Sequence, residues 1–166
     1  NFTCDKILVD SKDRVWFHSS DESIYLVNYD FSNGKINTVL KSTIKLPYIS
    51  DIIEIDNTIM LSSEDGLYEC SVHRERLQLN KLLDSPIAAA IVISSSQILY
   101  SNLENHQLCL YDKHTCKVST LLENCNIRKM VYKNKRLFYA TTSTVSVLPF
   151  DVLHAIESKP QVIATY

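Results

Sequence analysis

Short apolar runs recur along the chain at a constant spacing. In each repeat, one run closes a strand and the next run opens six residues later. These landmarks are 39 residues apart and lie at Ile53 and Ile59, Val92 and Ile98, and Val131 and Leu137. The runs are rich in Ile, Val, Leu, Tyr and Thr and are bounded by Asp, Asn, Ser or Lys, as is typical of β-strands joined by turns. A period of this length predicts several copies of one small β-unit.

The first repeat has the same layout but is about five residues longer, since Val15 and Ile59 are 44 residues apart. We expect the extra residues near Lys41–Pro47, which has no counterpart later in the chain. The best helix candidate, Val152–Ser158, is short and is followed by Pro160. The repeats predict one segment of four units, with approximate boundaries at residues 1–47, 48–85, 86–124 and 125–166.

The first strand of each unit is the most continuously apolar, whereas the later strands alternate, as in Leu108–Tyr111. We therefore expect each first strand to be buried on both faces. A four-stranded sheet of about 40 residues cannot bury its faces alone, and radial repetition solves that problem. The prediction is an all-β fold, a β-propeller or propeller segment of about four four-stranded blades. A β-sandwich is the alternative, but it offers no reason for the period.

The third unit resembles the NHL type of propeller repeat. The matching residues in ILYSNLENHQLCLYDKHTCKVSTLL are Asn105-His106, Asp112, Thr115, Val118, Thr120 and Leu121. The closing Tyr-Asp of the strands is equally similar to WD repeats, although no unit has a Gly-His start or a Trp-Asp. Both families use many glycines in turns, and this chain has only two. The resemblance implies a ring of about six to eight blades, so we expect half of a larger ring that a second chain or a second copy completes, or else a piece cut from a longer chain.

Composition narrows the class of protein. The 166 residues have a net charge of −2, are 45% hydrophobic and 22% charged, and therefore suit one soluble globular domain without overall attraction to nucleic acid or membranes. The longest apolar run, Pro86–Ile93, is too short to span a bilayer, so no membrane partner is expected. The five cysteines are odd in number and form no CxxC pair. We predict reduced thiols and a cytoplasmic or nuclear location, with secretion less favoured.

No catalytic or cofactor motif stands out. The chain lacks a glycine-rich phosphate loop, HExxH and GxSxG, and its five histidines occupy different positions of the repeat. We therefore expect no metal, no cofactor and no enzymatic activity. The leading prediction is a non-catalytic protein–protein interaction scaffold in a multi-subunit assembly. A propeller-type hydrolase or lyase ranks third, behind the RNA-binding alternative described below.

Acidic residues recur in register in the turn after the second strand. Asp21, Asp65 and Glu104 are equivalent in the repeat, and Glu22 and Glu64 stand beside two of them. Equivalent turns of a propeller emerge on one face, so these residues predict an acidic rim that binds a basic peptide. Polar turns that are simply solvated are the alternative.

Basic and aromatic residues surround the first turn of the last unit. They are Arg128, Lys129, Tyr132, Lys133, Lys135 and Arg136. Cations interleaved with aromatic rings can bind single-stranded RNA, and NHL-like propellers include RNA binders, so an RNA-binding propeller is the alternative function. Because successive residues of a strand point to opposite faces, we expect these cations to divide between two sides.

Overall fold

A computed structural model describes residues 3–150 and 159–165, which contain sixteen β-strands and no helix. The strands form four antiparallel sheets of four strands each. In every sheet the strands lie in chain order, so each sheet is a simple meander. The prediction of four all-β units is confirmed. The helix predicted at Val152–Ser158 lies outside the described residues.

The strands of each sheet have the following bounds. Sheet 1 contains β1 (Cys4–Val9), β2 (Arg14–Ser19), β3 (Ile24–Asp30) and β4 (Lys35–Lys41). Sheet 2 contains β5 (Ile49–Ile55), β6 (Thr58–Ser63), β7 (Gly66–His73) and β8 (Arg76–Leu83). Sheet 3 contains β9 (Ile87–Val92), β10 (Gln97–Asn102), β11 (Gln107–Asp112) and β12 (Lys117–Leu122). Sheet 4 contains β13 (Lys129–Lys133), β14 (Arg136–Ala140), β15 (Thr144–Pro149) and β16 (Gln161–Thr165).

The sheets form two compact units, Asn1–Asp84 and Ser85–Tyr166, each with its own core. Apolar side chains from sheets 1 and 2 meet in the first unit, among them Trp16, Leu26, Ile59 and Leu61. Sheets 3 and 4 supply the core of the second unit, which includes Leu99, Leu108, Leu137 and Leu148. The repeat landmarks Ile59, Ile98 and Leu137 are all buried. The period of the sequence therefore reflects the spacing of core positions.

Three two-residue hairpin loops adopt positive φ at both positions without using glycine. The two central residues have positive φ in each of these turns, which are Asp56-Asn57, Arg74-Glu75 and Asn134-Lys135. Two-residue hairpin loops of this type match the right-handed twist of the flanking strands. Glycine has a specific role at Gly66, where φ is +146° and an added Cβ would lie 2.1 Å from the carbonyl oxygen of Leu83.

The first strands of the two terminal sheets are not buried on both faces, so that prediction is wrong for β1 and β13. On β1, Ile7 is 67% exposed and Val9 is 53% exposed. On β13, Val131 is 60% exposed. The alternate residues Leu8 and Met130 face the cores of their units. Sheets 1 and 4 each bury one apolar face and leave the other in solvent.

Candidate functional site

The acidic turn of sheet 1 is neutralised by a lysine of the same sheet. Asp21 Oδ2 accepts hydrogen bonds from Lys41 Nζ at 2.6 Å and from the Tyr25 hydroxyl at 2.9 Å. Tyr25 and Lys41 are cross-strand neighbours on β3 and β4, and the ammonium lies 5.2 Å from the ring centroid. The Lys41 ammonium, assisted by the Tyr25 hydroxyl, holds the pKa of Asp21 well below its usual range.

Sheet 2 repeats the arrangement. The Tyr68 hydroxyl and Lys81 Nζ both donate to Asp65, the lysine at 3.1 Å, and Tyr68 and Lys81 are again cross-strand neighbours. These two hydrogen bonds lower the pKa of Asp65, that of Tyr68 having the larger effect. Lys81 also contacts Asp84 at 2.7 Å. The sequence pattern did not indicate the two lysines, although each acid is followed by a tyrosine three or four residues later.

The other predicted acids keep exposed carboxylates. Glu22, Glu64 and Glu104 are exposed, and none forms an ion pair with another residue in 3–150 or 159–165. In the first unit, the linker between β4 and β5 lies beside both acidic turns. The amide of Leu46 in that linker donates to the carbonyl oxygen of Glu22 at 2.8 Å. A cavity of about 180 Å³ is lined by Pro47, Tyr48, Ser63, Glu64 and Asp65.

The prediction that the cations of the basic patch divide between two faces is wrong for sheet 4, because Lys129, Lys133 and Arg136 share one face. Lys129 and Lys133 lie on one face of β13, and Arg136 is the cross-strand partner of Lys133. Tyr132 points to the opposite face, where its ring meets Phe150 edge to face at 5.9 Å. The remaining cations, Arg128 and Lys135, lie outside the strands and are exposed. Tyr132 is therefore on the wrong side to stack a base held by Lys129 and Lys133.

The open face of sheet 4 combines apolar and basic side chains. Val131 and Phe138 are cross-strand partners at its centre, and Val147 continues the row on β15. We define this face by its residues Lys129, Val131, Lys133, Arg136, Phe138, Ala140, Val145 and Val147. Two shallow cavities, of about 160 and 400 Å³, lie along it.

The open face of sheet 1 is apolar across all four strands. Its residues, assigned from cross-strand pairing, are Ile7, Val9, Val15, Phe17, Tyr25, Val27, Val39 and Lys41. The rings of Phe17 and Tyr25 stack at 5.0 Å, and Val39 on the outermost strand is 52% exposed. The only charged side chain in this set is Lys41, which is already paired with Asp21.

A buried carboxylate fixes the first hairpin beside a further cavity. Asp10 Oδ1 accepts the amides of Lys12 and Arg14 at 2.9 Å each, and Oδ2 accepts Arg14 Nε at 2.7 Å and Trp16 Nε1 at 2.8 Å. Burial alone would raise the pKa of Asp10, but the bonds from Trp16 and Arg14 outweigh it and hold that pKa below its usual value. The nearby cavity of about 290 Å³ is lined by Lys12, Arg14 and Glu69 among others, so its charges are mixed.

Neither a metal site nor a membrane helix is found in the part of the chain that the structure describes. No group of three or more His, Cys, Asp or Glu side chains is placed to hold an ion there. Within the same residues, no helix is long and apolar enough to cross a membrane.

Comparison with known proteins identifies the architecture. No family model and no curated protein matches the sequence. Among solved structures, a luciferin-regenerating enzyme is similar with a TM-score of 0.71 at 11% identity, over 98% of this chain and 60% of that one. The β-propeller domain of Cps50 (Swd1) from Myceliophteria thermophila gives 0.68 at 10% identity, over 98% and 59%. The Dos1 propeller gives 0.66 at 14% identity, over 96% and 47%.

The chain therefore has the β-propeller fold that its period predicted. It spans about three fifths of the luciferin-regenerating enzyme and of the Swd1 domain. The expectation that the chain is not an enzyme is overturned, because one of the solved structures that is similar over 98% of this chain is that of an enzyme. The missing HExxH and GxSxG motifs do not exclude catalysis on this fold, since one fold hosts many chemistries.

Proposed function

We propose that this chain is a propeller scaffold that binds other protein through the open faces of sheets 1 and 4, each of which takes up a further blade. The apolar open face of sheet 1 carries the proposal. An antiparallel sheet with one solvated face normally alternates apolar and polar residues, whereas sheet 1 has apolar rows on both sides. Exposed apolar patches of this extent mark interaction surfaces.

The size of the similar propellers supports further blades as the occupant. Four sheets of this chain correspond to about three fifths of two solved propellers, so about two or three blades of those structures have no counterpart here. A blade offers a flat apolar sheet, which is the shape that the face of Ile7 and Val39 would accept. The missing blades would come from another polypeptide or from a further segment.

The acidic turns supply a second surface of the same scaffold. Glu22 and Glu64 flank one linker in the first unit, and Glu64 lies beside the exposed ring of Tyr48. A basic peptide would find carboxylates and an aromatic ring together at this point. The five unpaired cysteines agree with a reducing compartment such as the cytoplasm or nucleus.

The test uses neighbouring residues of β4 that point to opposite faces. Val39→Lys places a charge on the open face of sheet 1, whereas Thr38→Lys, also at an exposed position, is the matched control. We expect the tagged wild-type chain, purified from its source, to sediment as an assembly larger than 19.0 kDa. Val39→Lys should lower the mass of that assembly by weakening the contact at sheet 1, and Thr38→Lys should not. A wild-type chain that sediments as a monomer at all concentrations and from its source would overturn the proposal.

A further inference from the structure

The open face of sheet 4 has a feature that the open face of sheet 1 lacks, namely cations that have no counterion among the residues that the structure describes. Lys129, Lys133 and Arg136 flank the apolar centre formed by Val131 and Phe138. None of the three cations forms an ion pair within residues 3–150 and 159–165. All three are exposed.

Two of these cations are placed against each other. Lys133 and Arg136 are direct cross-strand partners at the tight turn of β13 and β14. Like charges directly opposite each other destabilise a sheet, so this pair weakens the hairpin until an anion lies between or beside them. A partner that covers Val131 would also remove water from the three cations, which is costly unless it supplies the opposite charge.

A second copy of this chain does not supply that charge. At the open face of sheet 1 the charged residue is Lys41, and the carboxylate beside it, that of Asp21, is already paired with that lysine. Docking the open face of sheet 1 on sheet 4 would leave Lys133 and Arg136 without an anion. Sheet 4 against sheet 4 would oppose three cations to three cations. Electrostatic complementarity therefore disfavours both modes of self-association.

We propose that the occupant of the open face of sheet 4 is a β-sheet of another polypeptide that presents Asp or Glu side chains to Lys129, Lys133 and Arg136. This inference rests on the proposed function and adds the chemistry of the partner. The apolar centre of the face is buried by the partner sheet. Ion pairs between the cations and the partner's carboxylates favour that sheet over a second copy of the chain. RNA is the competing ligand for the same cations, but the aromatic ring beside them, Phe138, is only half exposed in the sheet face and Tyr132 points away.

Zero-length carbodiimide coupling tests the contact, because it joins a lysine amine only to a carboxylate that touches it. The assembly purified through a tag on this chain is coupled, digested and analysed by mass spectrometry. We expect Lys129 or Lys133 to be joined to Asp or Glu of a different polypeptide. Coupling only to a second copy, distinguished by isotope labelling, would overturn the inference. Coupling to no carboxylate would overturn it as well, as would ultraviolet cross-linking of this face to RNA.

Variants separate this inference from the proposed function. The double variant Lys133→Glu/Arg136→Glu should weaken the assembly about tenfold or more, and added salt should no longer weaken it further, because an attraction has become a repulsion. Lys117→Glu, which changes an exposed cation of sheet 3, should have no effect. If Val131→Asp disrupts the assembly and the double variant does not, the scaffold function stands and the acidic partner is wrong. If neither variant has an effect while circular dichroism shows folded protein, the scaffold function and the acidic partner are both wrong for sheet 4.

Discussion

Lys41 Nζ lies 2.6 Å from Asp21 Oδ2, so the acid that was predicted to attract a basic partner already holds a cation. Replacing Lys41 and Lys81 by Met should uncover Asp21 and Asp65 and strengthen binding of an arginine-rich peptide. Fluorescence anisotropy at low and high salt measures the effect, which should fade at high salt because exposed charges are screened.

The matched control for this experiment is Lys35→Met, which removes an exposed cation at the other end of β4. Equal peptide affinity in the wild type and the double Met variant would mean that the acidic turns are only solvated. Glu22→Gln/Glu64→Gln should weaken the wild-type affinity, since those carboxylates have no internal cation in the described residues.

Asp10→Asn should destabilise the first unit by about 2–4 kcal/mol at pH 7, because it leaves Arg14 without its buried counterion. The folded-state pKa of Asp10 lies below its unfolded value, so its contribution is present above about pH 4 and is lost as the pH falls through the folded pKa. Urea denaturation at pH 7 and pH 3 should show the difference from wild type shrinking at the lower pH.

Asp13→Asn is the control for that measurement, because Asp13 is exposed in the same turn and Asn tolerates its positive φ. Its free energy of unfolding should stay within about 0.5 kcal/mol of the wild type. A loss as large as that of Asp10→Asn would show that turn geometry, rather than the ion pair, is responsible.

Gly66→Ala should be far more damaging than Gly34→Ala. At Gly66 the new Cβ would approach the carbonyl oxygen of Leu83 to 2.1 Å, whereas at Gly34 the nearest atom is the Tyr29 hydroxyl at 3.5 Å. We expect a loss of at least about 3 kcal/mol at position 66 and about 1 kcal/mol at position 34, measured by thermal unfolding. Equal losses would mean that φ alone decides the cost.

Thiol reactivity should divide the cysteines by burial. Burial raises the pKa of Cys70 to about 12 and also raises the pKa of Cys109. Cys4 and Cys116 are exposed. Iodoacetamide at pH 8 should alkylate the two exposed thiols first, since the thiolate is the reactive form. Labelling of Cys70 as fast as Cys4, read by peptide mass spectrometry, would contradict the packing of the first core.

The turn between β7 and β8 should be open to stabilisation. Arg74 and Glu75 both have positive φ, which Asn and Gly adopt with less strain. Arg74→Asn/Glu75→Gly should raise the free energy of unfolding by about 1–2 kcal/mol. A lower melting temperature would show that these two side chains make contacts that outweigh the backbone cost.

The fold was predictable because the period of core residues survives in the sequence. Ile59, Ile98 and Leu137 are buried at equivalent positions, and strand alternation separates Tyr132 from Lys129 and Lys133. These inferences need only the alternation of side chains along a strand and the constant spacing of the repeat.

The lysine partners of the acids were not predictable by the same means. Lys41 reaches Asp21 from a strand that begins far along the chain, and the contact depends on the bulge that sets the register of β3 and β4. The exposure of the first strand in sheet 4 was also not predicted. Val131 and Ile53 occupy the same position of the repeat, but only Val131 is exposed to solvent. The exposure of a first strand depends on whether another sheet packs against it, and the apolar pattern of the strand is the same in both cases.

Under the proposed function, the stability of this chain depends on the partners that cover the open faces of sheets 1 and 4. Anything that binds the folded sheets but not the unfolded chain raises their free energy of unfolding in proportion to the logarithm of its concentration. The cellular level of this chain would then follow the supply of its partner, because unpartnered copies unfold more often and are degraded.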